Sequence, residues 1–413
     1  MEANELVSSF DHHTVEYQVD GREMFNTLRG SCPVAHSDKW GGFYVMTKYD
    51  DIWAAMRDHG TFSSAKSQDE SGTWHGGDVI PDVGMPPFYP LDLDPPLHQS
   101  FRQILNPFLS PASVEQRSER ILGYISTLID AFIERGDCEF VTEFANPAPA
   151  ISTVEMLGLE VTEWRRWAEP HHSIQFAEHG TAEHEQAIAD LVWQRDQLAA
   201  AIRERLETPR DDMITHVANA RIDGRPIEPE EGAALLWTVV GGGVDTSTAF
   251  VTNALAHLSE HPEQRAWLLE DLDARLPAAI EELLRYYPPV RAVARTVRQE
   301  VEVGGQRLCP ADRVLLPVLA ANFDPEQFDR PGEVILDREP NRHATFGIGV
   351  HRCVGSSVAR FTVTNMIREV LTRMPDYRFD LEKAVRYRPS SPNDGWVSMP
   401  ASFTPGPKLA RPT

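Results

Sequence analysis

One cysteine set among three glycines constrains this chain more than any other stretch. The segment is Phe346-Gly-Ile-Gly-Val-His-Arg-Cys-Val-Gly355, and a strongly helical run follows from about Ser356. Glycines let the backbone approach a bound group closely and leave amides free to point at one atom. A helix N-terminus just after Cys353 adds partial positive charge, which lowers a thiol pKa and favours thiolate. A thiolate so placed can serve as nucleophile, redox centre or metal ligand. A structural cysteine beside a glycine turn would explain an isolated Cys-x-Gly. It does not explain Phe346 seven residues upstream with all three glycines in register.

The rest of the chain narrows the class. Its 413 residues are 41% hydrophobic and 24% charged, a globular composition with ample material for a core. Lys and Arg total 39 against 62 Asp and Glu, a formal charge of −23, which argues against a nucleic-acid binder. Met1-Glu-Ala-Asn-Glu-Leu-Val has no basic or apolar leader region, and the apolar stretch Ala233 to Val244 is short and glycine-rich. A cytoplasmic protein with no membrane span is therefore expected. Cys32, Cys138, Cys309 and Cys353 form no CxxC pair, which fits a reducing compartment.

No repeat or flexible linker marks a domain boundary, so residues 1–413 are read as a single domain. Helices dominate. Ser110-Pro111 starts one that runs towards Gly136, Ala187 to Leu206 and Glu230 to Leu258 are long ones, and Pro262 and Pro277 punctuate the next two. Strands are expected near Gly42 to Thr47 and Trp396 to Phe403, with a hairpin from Thr296 turning at Gly304-Gly305 and a strand from Arg313 to Val318. This gives a mainly α chain with small β-sheets at its two ends. Ser63 to Pro96 is rich in Gly, Pro, Asp and Ser and reads as a long functional loop.

Three further patterns carry chemistry. Gly241-Gly242-Gly243 interrupts the Glu230 to Leu258 helix at a cost of roughly 2–3 kcal/mol, so close packing or a ligand groove must justify it. Asp245-Thr246 follow directly, and a threonine there can bond back to a carbonyl and open the helix. Glu282 and Arg285 stand at i and i+3, ordinarily a solvated pair. His98 and Arg102 share a helical face after Asp94-Pro95-Pro96.

Together these motifs resemble the cytochrome P-450 superfamily, whose haem-thiolate loop reads Phe-Gly-x-Gly-x-His-x-Cys-x-Gly. The resemblance extends from Cys32-Pro33-Val34 to Phe403-Thr404-Pro405-Gly406 and implies that family's single, triangular, mainly α fold in its soluble bacterial form. It implies heme b (iron protoporphyrin IX) with Cys353 as the axial iron ligand, pushing electron density onto the metal. Phe346 and Gly347 would line the cofactor, and His98, Arg102, Arg295 and His351 would meet its propionates. Glu282, Arg285 and Arg338 would form a buried charge network. Asp245 and Thr246 would deliver protons to bound dioxygen, inserting one oxygen atom into a C–H bond or double bond of an apolar small molecule. A terpenoid, steroid, polyketide or aromatic compound would fit.

Electrons would come from a separate ferredoxin and its NAD(P)H-dependent reductase, docking near Arg342, Arg352 and Arg360. The substrate pocket would draw on the Ser63–Pro96 loop, the segment Trp164 to Ala200, Val240, Gly241, Val290, Arg291 and Val293, with Arg291 facing a substrate acceptor. Thr362 stands where the family often has glutamate. Two alternatives are a peroxide-driven peroxygenase of the same fold, against which Asp245-Thr246 argues, and a non-catalytic haem sensor or electron carrier.

Overall fold

A computed structural model describes residues 3–82, 84–178 and 180–409. Local rules set many of its helix limits. Ser110 caps Pro111–Asp130, its hydroxyl accepting from the Ser113 amide at 3.3 Å. Thr181 does the same for Ala182–Glu207, and Glu228 with Glu231 closes a capping box at the start of Pro229–Gly243. Pro262 opens its helix as expected, but Pro277 lies inside Leu272–Tyr286. That helix tolerates the lost amide because Leu276, Ala279, Ile280 and Leu283 are buried in the core.

The expected single helix from Glu230 to Leu258 is two helices, Pro229–Gly243 and Asp245–Glu260, meeting at Val244 with φ −97° and ψ −75°. The glycines weaken the helix, and two hydroxyls reach back across the junction: Thr246 Oγ1 to Gly242 O at 2.9 Å and Thr248 Oγ1 to Val244 O at 3.1 Å. The pair spans Pro229–Glu260 and is long and apolar enough by composition to cross a membrane, more than the Ala233 to Val244 stretch suggests. Most of its apolar face is instead buried within the fold.

Strands distant in sequence share one sheet, ordered Val34–Ser37, Phe43–Met46, Arg313–Leu316, Val293–Val297 and Phe62–Ser63. The expected sheets at the two chain ends are thus corrected: Arg313–Leu316 pairs in parallel with Phe43–Met46. The glycine hairpin is confirmed in its turn, Val301–Val303 against Gln306–Leu308 with Gly304 and Gly305 at φ +56° and +79°. Its expected first arm is shorter, because Thr296 belongs to the larger sheet. The Ser63 to Pro96 segment is also not all loop, since Lys66–Gln68 and Trp74–Gly76 pair within it.

Among the described residues, three large apolar clusters make most of the core, and a small fourth one joins Ala150, Ala168 and Val244. One joins Asp245–Glu260, Leu272–Tyr286 and Ser356–Arg373; a second lies under the five-stranded sheet; a third joins Leu97–Leu109, Ala182–Glu207 and Pro229–Gly243. The cysteine loop touches all three, through Phe346, Ile348 and Val354 respectively. Its position is therefore fixed from three sides.

Candidate active site

The loop's glycines have distinct tasks. Gly347 and Gly349 adopt φ +67° and +71°, and a Cβ on Gly349 would lie 2.6 Å from Met56 O. The Cys353 amide donates to Phe346 O at 2.7 Å and closes the loop. Cys353 is enclosed by protein yet keeps open surface, so its sulfur faces a recess. Burial pushes the thiol pKa up, against the Gly355 amide hydrogen-bonded to the sulfur and the charges of Arg102, Arg352 and Arg360. The expectation of a lowered pKa is corrected: desolvation outweighs those donors in the bare protein. A metal cation on the sulfur would reverse that balance, since a coordinating thiol is deprotonated outright.

Four expected basic groups converge beside this recess. His98, on Leu97–Leu109, is buried and its ring centroid lies 4.4 Å from that of His351. Neither His351 nitrogen has a hydrogen-bond partner, nor does His98 Nδ1. Arg295 is buried with its guanidinium donating to Ala294 O at 2.6 Å, and Arg102 is half-buried nearby. Burial and the Arg102 charge hold His98 down at about 4; burial, Arg295, His98 and Arg102 hold His351 at about 2. Crowded cations and orphaned buried nitrogens are unfavourable unless an anion joins them. The two carboxylates of haem fit this requirement, and His59, whose buried Nδ1 is also unpartnered, extends the cluster.

At the end of Pro229–Gly243, each of the three glycines has its own reason. A Cβ at Gly243 would lie 2.6 Å from Thr153 Oγ1 and one at Gly241 would lie 3.1 Å from the His171 ring, both cases of close packing. Gly242 has nothing within 4 Å and faces open space. Thr246 is half-buried beside it, while Asp245 is buried, with Oδ1 3.0 Å from His172 Nδ1 and 3.4 Å from the Tyr387 hydroxyl. Asp245 Oδ2 has no partner. His172 and Tyr387 carry no sequence signature, beyond His172 falling in the Trp164 to Ala200 segment. Phe88 falls in the Ser63–Pro96 segment expected at the pocket, but its stack on Trp237, with centroids 4.0 Å apart, has no signal in the sequence.

The Glu282–Arg285 pair is fully buried, not solvated. Glu282 accepts two bonds from Arg285 at 2.8 Å, two from Arg338 at 3.0 and 3.1 Å, and one from the Ile335 amide at 2.9 Å. Other expected residues are placed differently. Arg291 donates to Tyr17 O at 2.7 Å and covers the Tyr17 ring, so its guanidinium fastens the Val15–Ser31 helix and is not free for a substrate. Val240 is fully buried in the third cluster, with no open surface to offer a ligand, whereas Val290 and Val293 are half-buried. Arg360 pairs with Glu281 at 2.7 Å and covers Phe346, leaving Arg342 and Arg352 as the exposed basic groups of the loop. The Thr362 hydroxyl is buried without a partner.

Comparison with known proteins agrees with this arrangement. The cytochrome P450 family model matches residues 150–403. A steroid C26-monooxygenase of Mycolicibacterium smegmatis is 32% identical over 410 residues, covering 95% of this chain and 96% of the relative. Cytochrome P450 130 of Mycobacterium tuberculosis is 29% identical, covering 86% and 88%. Among solved structures, Mycobacterium marinum cytochrome P450 CYP268A2 in complex with pseudoionone superposes with a TM-score of 0.85 at 25% identity, covering 95% of this chain and 99% of that one. A cysteine loop with an anion-seeking cradle beside it, on this fold and with these relatives, makes the chain a member of the cytochrome P450 family, a haem-b-binding oxidoreductase that incorporates oxygen.

Proposed function

We propose that this single-domain chain is a cytoplasmic monooxygenase that hydroxylates a bulky apolar molecule, with a steroid or terpenoid favoured over a polyketide or simple aromatic. Haem, when bound, supplies the activation of dioxygen and its transfer to carbon. Cys353 would hold its iron. Phe346 and Gly347 shape the loop of Cys353, Arg102 and Arg295 would neutralise the propionates, and His98 and His351 would donate hydrogen bonds to them. Glu282, Arg285 and Arg338 brace the fold beneath. The apolar substrate sits against Gly241, Phe88, Val290 and Val293; the Phe88–Trp237 stack gives it a flat wall. The 32% identical steroid C26-monooxygenase favours a sterol-like skeleton. Electrons arrive from a ferredoxin and its NAD(P)H-dependent reductase, docking by the exposed Arg342 and Arg352.

The observation that carries the reading is Asp245–Thr246 at the helix break beside the Gly242 groove. Cleaving dioxygen into water and one inserted atom takes two protons, delivered in a site kept otherwise dry. Thr246 holds the final donor and Asp245 resupplies it; a peroxygenase or an electron carrier has no use for this pair. The test is Thr246→Ala in a reconstituted assay with surrogate redox partners. NAD(P)H consumption should persist, while product per NAD(P)H falls several-fold and hydrogen peroxide rises. Unchanged coupling would refute the role of this helix. Soret shifts across sterols, terpenoids and smaller aromatics would test the substrate class.

A further inference from the structure

Asp245 needs a source of protons, and its surroundings contain one candidate. The carboxylate is 1% exposed, whereas the His172 side chain on its Oδ1 is 13% exposed. His172 Nδ1 donates to Oδ1 at 3.0 Å, and the Tyr387 hydroxyl lies 3.4 Å from both Oδ1 and Nδ1. Among the described residues, the ring meets Asp245 at the start of Asp245–Glu260, Tyr387 near the chain end, and Phe176, with ring centroids 5.5 Å apart. Among the described residues no hydrogen-bond partner meets Nε2, and that nitrogen is not among the sealed-off polar atoms. The imidazole is thus the step between open surface and the buried acid.

We propose that His172 both positions Asp245 and reloads it with protons from water. A plain structural tie is a poorer account, for two reasons. The end of the Trp164–Ser173 helix is already fastened by Ser391 Oγ on Gln175 Oε1 at 2.6 Å and by the Arg388 amide on Gln175 O at 3.4 Å. A purely structural carboxylate would also satisfy both oxygens, yet Oδ2 is buried and unpartnered. With Oδ1 held by His172, Oδ2 remains for transfer towards Thr246.

The proton balance closes with water as the only donor. Water gives a proton to Nε2, leaving hydroxide in the bulk solvent, and the Nδ1 proton passes to Asp245 Oδ1. The carboxyl turns about its Cβ–Cγ bond and releases the proton on the Thr246 side, returning to carboxylate. The ring, left with its proton on Nε2, regains the Nδ1–H tautomer by turning outwards, where water protonates Nδ1 and takes the proton from Nε2, and turning back. An imidazole suits this because one ring nitrogen can accept a proton while the other gives one up. His172 acts through Asp245, so it is a positioning residue.

This inference rests on the acid–alcohol reading, and the experiment separates the two. Asp245→Asn, His172→Gln and His172→Leu are compared with the parent holoenzyme for turnover, solvent deuterium isotope effect and the carbon monoxide band. Glutamine can still donate to Oδ1 but cannot carry a proton; leucine does neither. All three variants should keep the carbon monoxide band and the substrate-induced Soret shift. His172→Gln should slow turnover about ten-fold and raise the isotope effect, less than the roughly 10²–10⁴-fold reach of a general acid because Asp245 remains. In the diamagnetic ferrous carbonyl holoprotein, nitrogen-15 histidine spectra should show a downfield Nδ1–H signal, absent in His172→Gln and shifted upfield in Asp245→Asn.

Parent-like turnover in His172→Gln would overturn the relay, as would absence of that Nδ1–H signal. If Asp245→Asn slows turnover while His172→Gln does not, only His172 loses its role. If Asp245→Asn is also parent-like, the acid–alcohol reading fails with it.

Discussion

Glu282→Gln should be among the most damaging single changes in this protein, although it removes no volume. Glu282 and Arg285 are both fully buried, and the carboxylate also neutralises Arg338, whose side chain is 7% exposed. An amide leaves one accepting oxygen and turns a donor towards guanidiniums whose other acceptors are already in use. Breaking a buried pair from one side costs about 3–5 kcal/mol, against a total stability of about 5–15 kcal/mol. The second arginine adds to this, though not in full, because both share one partner. With an m-value of at least about 3 kcal/mol per M for a chain of this size, a loss near 4 kcal/mol moves the urea midpoint down by about 1 M. The assay follows unfolding by circular dichroism and the Soret band together, in matched incubations because large proteins unfold irreversibly. Replacing the pair by Glu282→Leu with Arg285→Met should not restore stability. Arg285 also donates to Asn322 O and Pro331 O at 2.9 Å and to Glu333 O at 2.9 Å, and those carbonyls would be left unpaired. A Glu282→Gln midpoint within about 0.3 M of the parent would refute the network as a stabilising element.

Other outcomes follow from single observations. Cys353→Ala should abolish the red-shifted Soret band of the reduced protein under carbon monoxide, whereas Cys32→Ala, Cys138→Ala and Cys309→Ala should retain it. Gly349→Ala should lower haem retention and thermal stability together, because a left-handed φ of +71° and a backbone oxygen 2.6 Å from the new Cβ leave no room to relax; unchanged haem content on purification would contradict this. His257 is buried between the Tyr287 hydroxyl at 2.9 Å and Gln264 Oε1 at 3.0 Å, and desolvation lowers its pKa from 6.5 to about 4. Between those values the unfolded chain binds the extra proton, so stability is present above pH 6.5 and is lost as pH falls towards 4. His257→Gln should flatten that dependence by up to about 1.4 kcal/mol per pH unit, read from denaturation at a series of pH values.

Local chemistry wrote much of this protein into its sequence. The cysteine loop was legible because glycine at φ +67° and +71° answers a backbone constraint that other residues meet only with strain. The Ser110 cap, the Gly304-Gly305 turn and the weakness of the distal helix at Gly241 to Gly243 are likewise decided within a few residues. Tertiary structure decided whatever depends on burial or on partners remote in the chain. Sequence showed Glu282 and Arg285 as neighbours on a helix, but only packing made them a dry pair sharing Arg338. It showed a charge at Arg291, and packing sent that charge to Tyr17 O, 274 residues away. It promised a lowered thiol pKa from the helix end, and enclosure of the sulfur reversed the sign. His172 and Tyr387, 215 residues apart, meet Asp245 only because the end of one helix, the break in another and a segment near the chain terminus fold onto one carboxylate. Motif spacing records backbone geometry, which is local. Desolvation and side-chain pairing are properties of the assembled interior, which no short stretch of sequence contains.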